Sequence, residues 1–258
     1  MRIRLSLHPF VVATVLMAAT HSCATRANYL DAEGPRYAAD YAHAAEALAL
    51  PVFAPGALAG PGPSIPVGPA PLETFEVVSY NVRYGLEVDA AIEVLTCTPE
   101  LADADVILLR EMHAPGVDRI ARALDCSYAY YPATPRSSDR ESGNAVLTRG
   151  LIVDDRKILL PHANPIDRQH RIAVRTDLEL GRHALHAYSV HIETPFLPVR
   201  DRLEQIETLL SSVPRDSRPC LIAGDFNTMG AGSLSSFESA FADHGFERAS
   251  VGVGSTFV

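Results

Sequence analysis

From residue 75 onward, short apolar runs alternate along the chain with segments whose apolar residues recur every three or four positions. The runs lie at 75–82, 105–109, 144–148, 172–178, 184–192 and 220–223. Short apolar runs between turn signals are typical of strands buried in a layered domain. Their alternation with helical segments predicts an α/β architecture.

The segments between these runs carry helical spacing. In residues 199–210 the apolar side chains recur at intervals of four, three and four residues, which places them on one face of a helix. Ser235 and Glu238 have the spacing of a capping box and predict a helix that ends at Gly245. Helices are also predicted in the segments 85–104 and 115–124.

The chain begins as an export signal does. Arg2 and Arg4 form a basic start, and the apolar stretch 10–19 is too short to span a bilayer. Two processings compete: Cys23 becomes the lipid-modified first residue of a bacterial lipoprotein, or residues 22–24 serve as an ordinary cleavage site. We therefore expect an exported protein that is periplasmic, secreted or anchored to a bacterial membrane through a lipid on Cys23.

An N-terminal extension, residues 24–73, separates the signal from the α/β pattern. Its first part, 29–50, contains many Ala and Tyr residues and is predicted to be partly helical. Residues 51–71 contain seven prolines and four glycines, a composition that resists helix and sheet and predicts an extended linker. The predicted divisions of the chain are 1–23, 24–73 and 74–258.

Composition and charge narrow the function classes. The chain is 47% hydrophobic and 21% charged, which is ordinary for a globular protein of 258 residues. Its formal net charge is −9, and because nucleic-acid binding needs a basic surface to release counterions, we expect no stable nucleic-acid complex. The cysteines lack zinc-site spacing. Cys220 is predicted to be a buried thiol. A disulfide between Cys97 and Cys126 is one of two alternatives, the other being two free thiols.

Several apolar runs end on a side chain that can bind a metal ion or a phosphate. These side chains are Asn81, Glu111, His191 and Asp225, and Asn227 follows Asp225 by two residues. A buried strand brings its last residues to the rim of the sheet, so strands that run in one direction bring these groups to one mouth. Each alone has an ordinary interpretation as a turn former, a helix cap or a solvated side chain. Their recurrence at equivalent strand ends predicts one site.

This combination of side chains suits phosphoester hydrolysis. A phosphodiester repels an incoming nucleophile, so hydrolysis needs a cation on the equatorial oxygens and a base that orients or deprotonates water. Mg²⁺ prefers hard oxygen ligands, which Glu111 and the amide oxygen of Asn81 provide, and Mn²⁺ is the alternative ion. Asp225 can act as the base or as a second metal ligand. His191 and Asn227 can donate hydrogen bonds to phosphate oxygens.

The segments that carry these residues resemble, in order, the motifs of the endonuclease/exonuclease/phosphatase superfamily. They are SYNVRYG at 79–85, DVILLRE at 105–111, SGNAVLTR at 142–149, YSVH at 188–191, the Arg-x-x-Gln pattern at 202–205 and GDFN at 224–227. The last is the most specific. Arg110 departs from the Gln common in the family, and Ser189 and Val190 depart from an Asn-Thr-His-Leu strand.

The resemblance implies a four-layered α/β sandwich, with two facing mixed β-sheets and helices outside, and Mg²⁺-dependent hydrolysis of a phosphoester, first of all a diester. The residues implied are Glu111 and Asn81 for the metal, Asp225 for water or the leaving group, Asn227 and His191 for the phosphate, and Asn144 and Arg171 as second-tier candidates for substrate contact. Lipid head groups, nucleotides and scavenged nucleic acid are the expected substrate classes.

The resemblance also implies a last strand that ends in Asp-His. The sequence reaches the preceding segment at 254–258, so we expect either a fragment that lacks this strand or a degenerate copy. The alternative function is therefore a non-catalytic binding remnant or an inactive fragment of the same fold. Such a protein would bind metal or phosphate without hydrolysis.

Overall fold

The computed structural model describes residues 29–43, 75–137 and 140–250, and it places two β-sheets face to face. The strands are β1 (Tyr37–Ala39), β2 (Val77–Asn81), β3 (Val106–Met112), β4 (Ser127–Ser137), β5 (Arg140–Thr148), β6 (Leu151–Leu159), β7 (Ile172–Leu180), β8 (His183–His191) and β9 (Cys220–Asp225). The helices are α1 (Val88–Cys97), α2 (Pro99–Ala102), α3 (Ala114–Ala123), α4 (Val199–Ser211) and α5 (Ala231–Asp243), with a 3₁₀ turn at Arg83–Gly85.

Both sheets are mixed. The first has the order β1-β4-β5-β3-β2 and the second the order β6-β7-β8-β9. In each sheet the neighbours are antiparallel except at one edge, where β2 runs parallel to β3 and β8 runs parallel to β9. The predicted pair of facing mixed sheets is therefore confirmed.

Three apolar clusters separate four layers. Between the sheets, Val106 and Leu108 of β3 pack with Val174 of β7 and Ala187 of β8. On the outer face of the first sheet, the alternate residues of β3 pack against α1 and α3. The outer face of the second sheet is covered by α4 and α5. Because β3 is covered on both faces, its sequence is apolar without alternation.

The predicted helices are present, with two differences: the segment predicted as helical at 85–104 contains two helices, α1 and α2, that break at Thr98, and the start of α5 differs. α5 begins at Ala231 after Gly230, and no side chain caps it, so the capping box at Ser235 and Glu238 is wrong. Both residues lie inside the helix. The predicted end is correct: Gly245 has a φ of 80°, and the Phe246 amide donates to the Phe241 carbonyl as in a Schellman motif.

Residues 29–43 belong to the folded domain. Instead of a partial helix, Tyr37–Ala39 forms β1 and pairs with β4. Arg36 forms a bidentate ion pair with Asp155 at 2.6 Å, and the ammonium of Lys157 donates to backbone carbonyls of this segment. Burial lowers the pKa of Lys157 to about 8, against the opposing effect of Asp31. The segment therefore joins the edges of both sheets.

Some predictions fall on other parts of the chain. The signal 1–23 with Cys23, the linker 51–71 and the segment 254–258 lie outside the described residues. Among the described residues no helix is long and apolar enough to cross a membrane. Cys97 and Cys126 are unpaired, the first exposed and the second buried. Cys220 is also free but half-buried, which corrects the expectation of full burial.

Gly224 is fixed by the close approach of two strands. A Cβ at this position would lie 1.9 Å from the carbonyl oxygen of Val190 on β8, a clash that no side-chain rotation relieves. We expect Gly224→Ala to lower the free energy of unfolding by at least about 3 kcal/mol, measured by urea denaturation. Gly232→Ala in α5 is the matched control, because a Cβ there meets nothing within 4 Å. Equal stability of the two variants would contradict this packing.

Asp177 anchors a buried ion pair at the opposite end of the second sheet. Its carboxylate accepts hydrogen bonds from Arg175 at 2.7 and 2.9 Å and lies 2.8 Å from His186 Nδ1. Burial opposes ionisation of Asp177, but the hydrogen bonds from Arg175 and His186 outweigh it and hold the pKa of Asp177 below its ordinary value. The stabilisation from this carboxylate is therefore fully present above the unfolded pKa of about 3.8 and is lost as the pH falls below it.

The variant Asp177→Asn tests this ion pair. We expect it to lower the free energy of unfolding by about 3 kcal/mol near neutral pH, because Arg175 then stays buried without a counter-charge. The variant should also lose less stability than the wild type on acidification below about pH 4. Urea denaturation across pH measures both effects, with the exposed Asp103→Asn as control. If the wild type and Asp177→Asn lost the same unfolding free energy below about pH 4, the stabilising role of the Asp177 carboxylate would be contradicted.

Candidate active site

The two parallel strand pairs carry the predicted side chains to one rim. Asn81 ends β2 next to Arg110 of β3, and His191 ends β8 next to Asp225 of β9. Because these pairs belong to facing sheets whose edge strands β2 and β9 are in contact, their carboxyl ends meet. The order of strands therefore turns four distant sequence positions into neighbours.

Asn81 joins the two carboxylates at this rim. Its amide nitrogen donates to Glu111 Oε1 at 3.1 Å and to Asp225 Oδ2 at 3.2 Å. His191 Nε2 lies 4.0 Å from each of these two carboxylates. The structure thus brings Asn81, Glu111, Asp225 and His191 into one cluster.

Glu111 reaches the cluster through an irregularity in β3. The register between β3 and β5 shifts between Leu109 and Met112, and Glu111 has a φ of 55° within that shift. A β-bulge re-aims a side chain and is over-represented next to active sites. A left-handed backbone costs about 1–3 kcal/mol in a residue other than glycine, so its presence at a strand end favours a functional role for Glu111.

The oxygen of Asn81 is partly engaged. Asn81 Oδ1 accepts from the Arg83 amide at 3.0 Å, which fixes the orientation of the side chain and turns its NH₂ group towards the carboxylates. One lone pair of Oδ1 remains for a metal ion. The metal-ligand role of Asn81 stays a prediction, while its hydrogen bonds already hold Glu111 and Asp225 at a fixed separation.

Asp225 is oriented through both of its oxygens. Oδ2 accepts from the Asn81 side chain, and Oδ1 accepts from the backbone N–H of Asn227 at 3.0 Å. Asn227 has a φ of 49°, and its carbonyl accepts from the buried Arg202 at 2.7 Å. The Asn227 side chain donates one N–H to the Ile192 carbonyl at 2.9 Å, which leaves its second N–H for another acceptor.

One buried and one half-buried cation lie behind this cluster. Arg110 is 4% exposed and donates to Ser79 Oγ at 2.8 Å, while its Nε has no partner among the described residues. Burial lowers the pKa of Arg110 to about 10, against the raising effect of Asp225 and Glu111, so the guanidinium stays charged at neutral pH. A fixed positive charge therefore accompanies the two carboxylates, a feature that sequence reasoning missed by treating Arg110 as a tolerable departure.

The second cation is Arg171, which contacts His191 directly. Arg171 Nη1 lies 3.4 Å from His191 Nδ1. Burial of His191, followed by the charges of Arg171 and Arg110, holds the pKa of His191 well below its ordinary value. The imidazole is therefore neutral near pH 7 and suited to hydrogen bonding rather than to ion pairing.

A small polar cavity extends from Glu111 and His191 along Arg171. Its lining residues are Tyr84, Glu111, Ala133, Thr134, Ser142, Gly143, Asn144, Asp167, Gln169, His170, Arg171, Ile172 and His191. The two second-tier candidates both lie here. Asn144, however, uses both N–H groups to reach the carbonyls of Ile172 and Ser189 in the facing sheet, at 2.9 and 3.2 Å, so only its oxygen is left for a ligand.

The donor set at the rim fits a divalent cation. The carboxylates of Glu111 and Asp225 are ligands of the kind that Mg²⁺ and Mn²⁺ take in proteins, while the Asn81 oxygen faces the Arg83 amide. A separate group of potential ligands, His162, Asp201 and Glu204, lies between α4 and the segment after β6. There Arg200 Nε lies 3.7 Å from Asp201 and 3.4 Å from Glu204 and offsets one of their two negative charges.

Comparison with known proteins agrees with the fold and the motif order. The model of the Endonuclease/Exonuclease/phosphatase family matches residues 78–250. A family protein from Leptotrichia buccalis C-1013-b is 20% identical with a TM-score of 0.56, covering 66% of this chain and 72% of its own. Sphingomyelinase C from Streptomyces griseocarneus is 18% identical with a TM-score of 0.51, covering 64% of this chain and 69% of its own.

A family protein from Bacteroides thetaiotaomicron is 18% identical with a TM-score of 0.50, covering 63% of this chain and 67% of its own. No curated protein sequence matches the chain. At these identities the solved structures show the fold alone, whereas the family model spans most of the chain, including Asn81, Glu111, His191 and Asp225. The chain belongs to the endonuclease/exonuclease/phosphatase family.

Proposed function

We propose that this protein is an exported, Mg²⁺-dependent phosphoesterase that hydrolyses phosphodiester bonds. The observation that carries the proposal is the contact of the Asn81 side-chain amide with two carboxylates, Glu111 and Asp225, each of which lies 4.0 Å from His191 Nε2. Metal-dependent phosphoester hydrolysis needs such a combination of cation ligands, base and phosphate donors. Members of this family are in general phosphoesterases that depend on divalent metals.

Glu111 would supply the principal ligand for the cation, and Asn81 Oδ1, which now faces the Arg83 amide, would supply a second once the side-chain amide turns. The bound cation would neutralise the phosphate oxygens and so lower the barrier to attack. The bulge that directs Glu111 outward from β3 fixes this ligand before the metal arrives. Preorganisation of this kind avoids reorganisation during the reaction.

Asp225 acts on the nucleophile or on the leaving group. Hydrogen bonds to both of its oxygens hold the carboxylate in one orientation and leave lone pairs for a water molecule. A positioned general base typically contributes about 10²–10⁴-fold to rate. The second N–H of Asn227 and His191 Nε2 would hold the phosphate oxygens.

Two observations favour a small phosphodiester over long nucleic acid. The net charge is −9, which opposes a long polyanion. The cavity beside the site has mostly polar lining, with Ala133 and Ile172 as its apolar members. We therefore propose lipid head groups and nucleotides as substrates in preference to scavenged nucleic acid.

The experiment is hydrolysis of bis(4-nitrophenyl) phosphate and of 4-nitrophenyl phosphate by the purified full chain, with Mg²⁺, with Mn²⁺ and with EDTA. We expect turnover of the diester that EDTA abolishes and Mg²⁺ restores, and a slower reaction with the monoester. Faster turnover of the monoester would overturn the diesterase assignment. Binding of Mg²⁺ or phosphate by a folded sample without turnover of either ester would favour the non-catalytic alternative.

Export is a separate part of the proposal and is supported by the sequence of residues 1–24 alone. Fractionation of a bacterial host that expresses the full chain tests it. Recovery outside the cytoplasm supports export, and loss of membrane association in Cys23→Ala supports the lipid anchor. Cytoplasmic recovery of an unprocessed chain would contradict both.

A further inference from the structure

Glu193 is a buried carboxylate that the proposed reaction does not use. It is 0% exposed and lies two residues after His191, on the segment that follows β8. Its oxygens accept from Arg171 Nε at 3.0 Å and Nη2 at 3.2 Å, from Asn164 at 3.0 Å and from the Thr194 amide at 2.7 Å. A carboxylate desolvated to this degree is retained only with such compensation, so its partners are held tightly.

One edge of the Arg171 guanidinium is therefore fixed by Glu193. Two of its nitrogens bond the carboxylate, and the third, Nη1, points at His191 Nδ1 at 3.4 Å. A bidentate Arg–carboxylate pair is planar and directional, so it determines where the remaining N–H groups point. Arg171 is 22% exposed through its side chain, whereas Glu193 is fully covered.

The chemistry of this contact selects one tautomer of His191. A guanidinium carries only donors and never accepts. Nδ1 of His191 must therefore present its lone pair to Arg171, and the ring proton resides on Nε2. That nitrogen is the one that lies 4.0 Å from both Glu111 and Asp225.

From this geometry we infer that Glu193 and Arg171 form a positioning unit, in which Arg171 holds His191 as the Nε2–H tautomer with its proton directed at the phosphate site. A carboxylate placed against Nδ1 would give the opposite result, since it would require the proton on Nδ1 and leave Nε2 an acceptor. The catalytic role of this tautomer rests on the proposed function. The tautomer itself can be observed in the metal-free protein.

The first test is spectroscopic and does not depend on turnover. The ring nitrogens of His191 are assigned in the ¹⁵N-labelled, metal-free protein by long-range ¹H–¹⁵N correlation near neutral pH. We expect a pure Nε2–H ring in the wild type. In Arg171→Met, which removes the donor and keeps an unbranched side chain, the two His191 nitrogens should shift towards averaged values because the tautomer is no longer fixed. Arg171→Lys should restore the wild-type pattern if its ammonium reaches Nδ1.

The exposed Arg168→Met, in the same loop, is the matched control and should leave the His191 spectrum unchanged. Glu193→Gln keeps the shape of the carboxylate but removes its charge, and it should move the spectrum in the same direction as Arg171→Met. An Nδ1–H or doubly protonated His191 in the wild type, or a spectrum unmoved by Arg171→Met, would overturn the inference.

The second test separates positioning from direct substrate binding. Loss of a partner that orients a site residue typically costs about 10–100-fold in activity, so kcat of Arg171→Met and Glu193→Gln should fall by that factor with KM little changed. A rise in KM alone, with an unchanged His191 spectrum, would assign Arg171 to substrate contact and overturn the positioning role. If neither the wild type nor any variant hydrolyses substrate, the proposed function is wrong. The tautomer of His191 is still tested, because its spectrum is measured without substrate.

Discussion

Asp225→Asn is expected to lower kcat by about 10³-fold, because the amide retains the shape of the carboxylate but cannot take a proton from water. The fold should persist, since the variant oxygen can still accept from the Asn227 amide, as Oδ1 does at 3.0 Å. Steady-state hydrolysis of bis(4-nitrophenyl) phosphate measures the loss. Urea denaturation of the same sample shows whether the domain remains folded.

The exposed Asp243→Asn at the end of α5 makes the same chemical change outside the site and should keep wild-type activity. A folded Asp225→Asn protein with undiminished turnover would remove Asp225 from the mechanism. Equal losses in both variants would indicate a general charge effect instead of a role for this carboxylate.

Glu111→Gln is expected to weaken Mg²⁺ binding by at least about 100-fold. Residues that merely orient a ligand cost about 10–100-fold in metal affinity, and Glu111 is placed as the ligand itself. Calorimetric titration with Mg²⁺ measures the affinity without reference to catalysis. Turnover should fall in parallel at low Mg²⁺ and recover in part when Mg²⁺ is raised.

Glu204→Gln is the informative control for this experiment, because Glu204 belongs to the other group of potential ligands. We expect Glu204→Gln to bind Mg²⁺ as the wild type does, since Arg200 and His162 already contact the Glu204 carboxylate at 3.4 and 2.7 Å. Loss of binding in Glu204→Gln, with binding retained in Glu111→Gln, would move the metal site to α4.

Much of the fold is predictable from the sequence because its central strands are covered on both faces. β3 begins with a continuous apolar run at 106–109, and such a run can be identified without knowing which strands pack against it. β4 and β6 were missed for different reasons. β4 contains Pro132 and Pro135, and proline normally argues against a strand. β6 is a sheet edge with alternating exposure and charged residues at 154–157, so its apolar content falls below that of a buried strand.

The cluster of Asn81, Glu111, His191 and Asp225 is predictable because parallel strands deliver their ends to one rim. What surrounds the cluster is not predictable in the same way. The roles of Arg110, Arg171 and Glu193 depend on contacts between strands, and a charged residue next to an apolar run gives no sign of whether it is solvated or buried. One signal was present: Glu193 follows His191 by two residues, which in extended chain puts both side chains on one side.

Anomalous diffraction from crystals of the full chain soaked in Mn²⁺ tests the central claim most directly, because it locates the metal independently of any assay. We expect a peak at the rim between Glu111 and Asp225, with Glu111 among the ligands and His191 not coordinated to the metal. A peak at His162, Asp201 and Glu204 with none at Glu111, or no peak in crystals whose site is open to solvent, would contradict it.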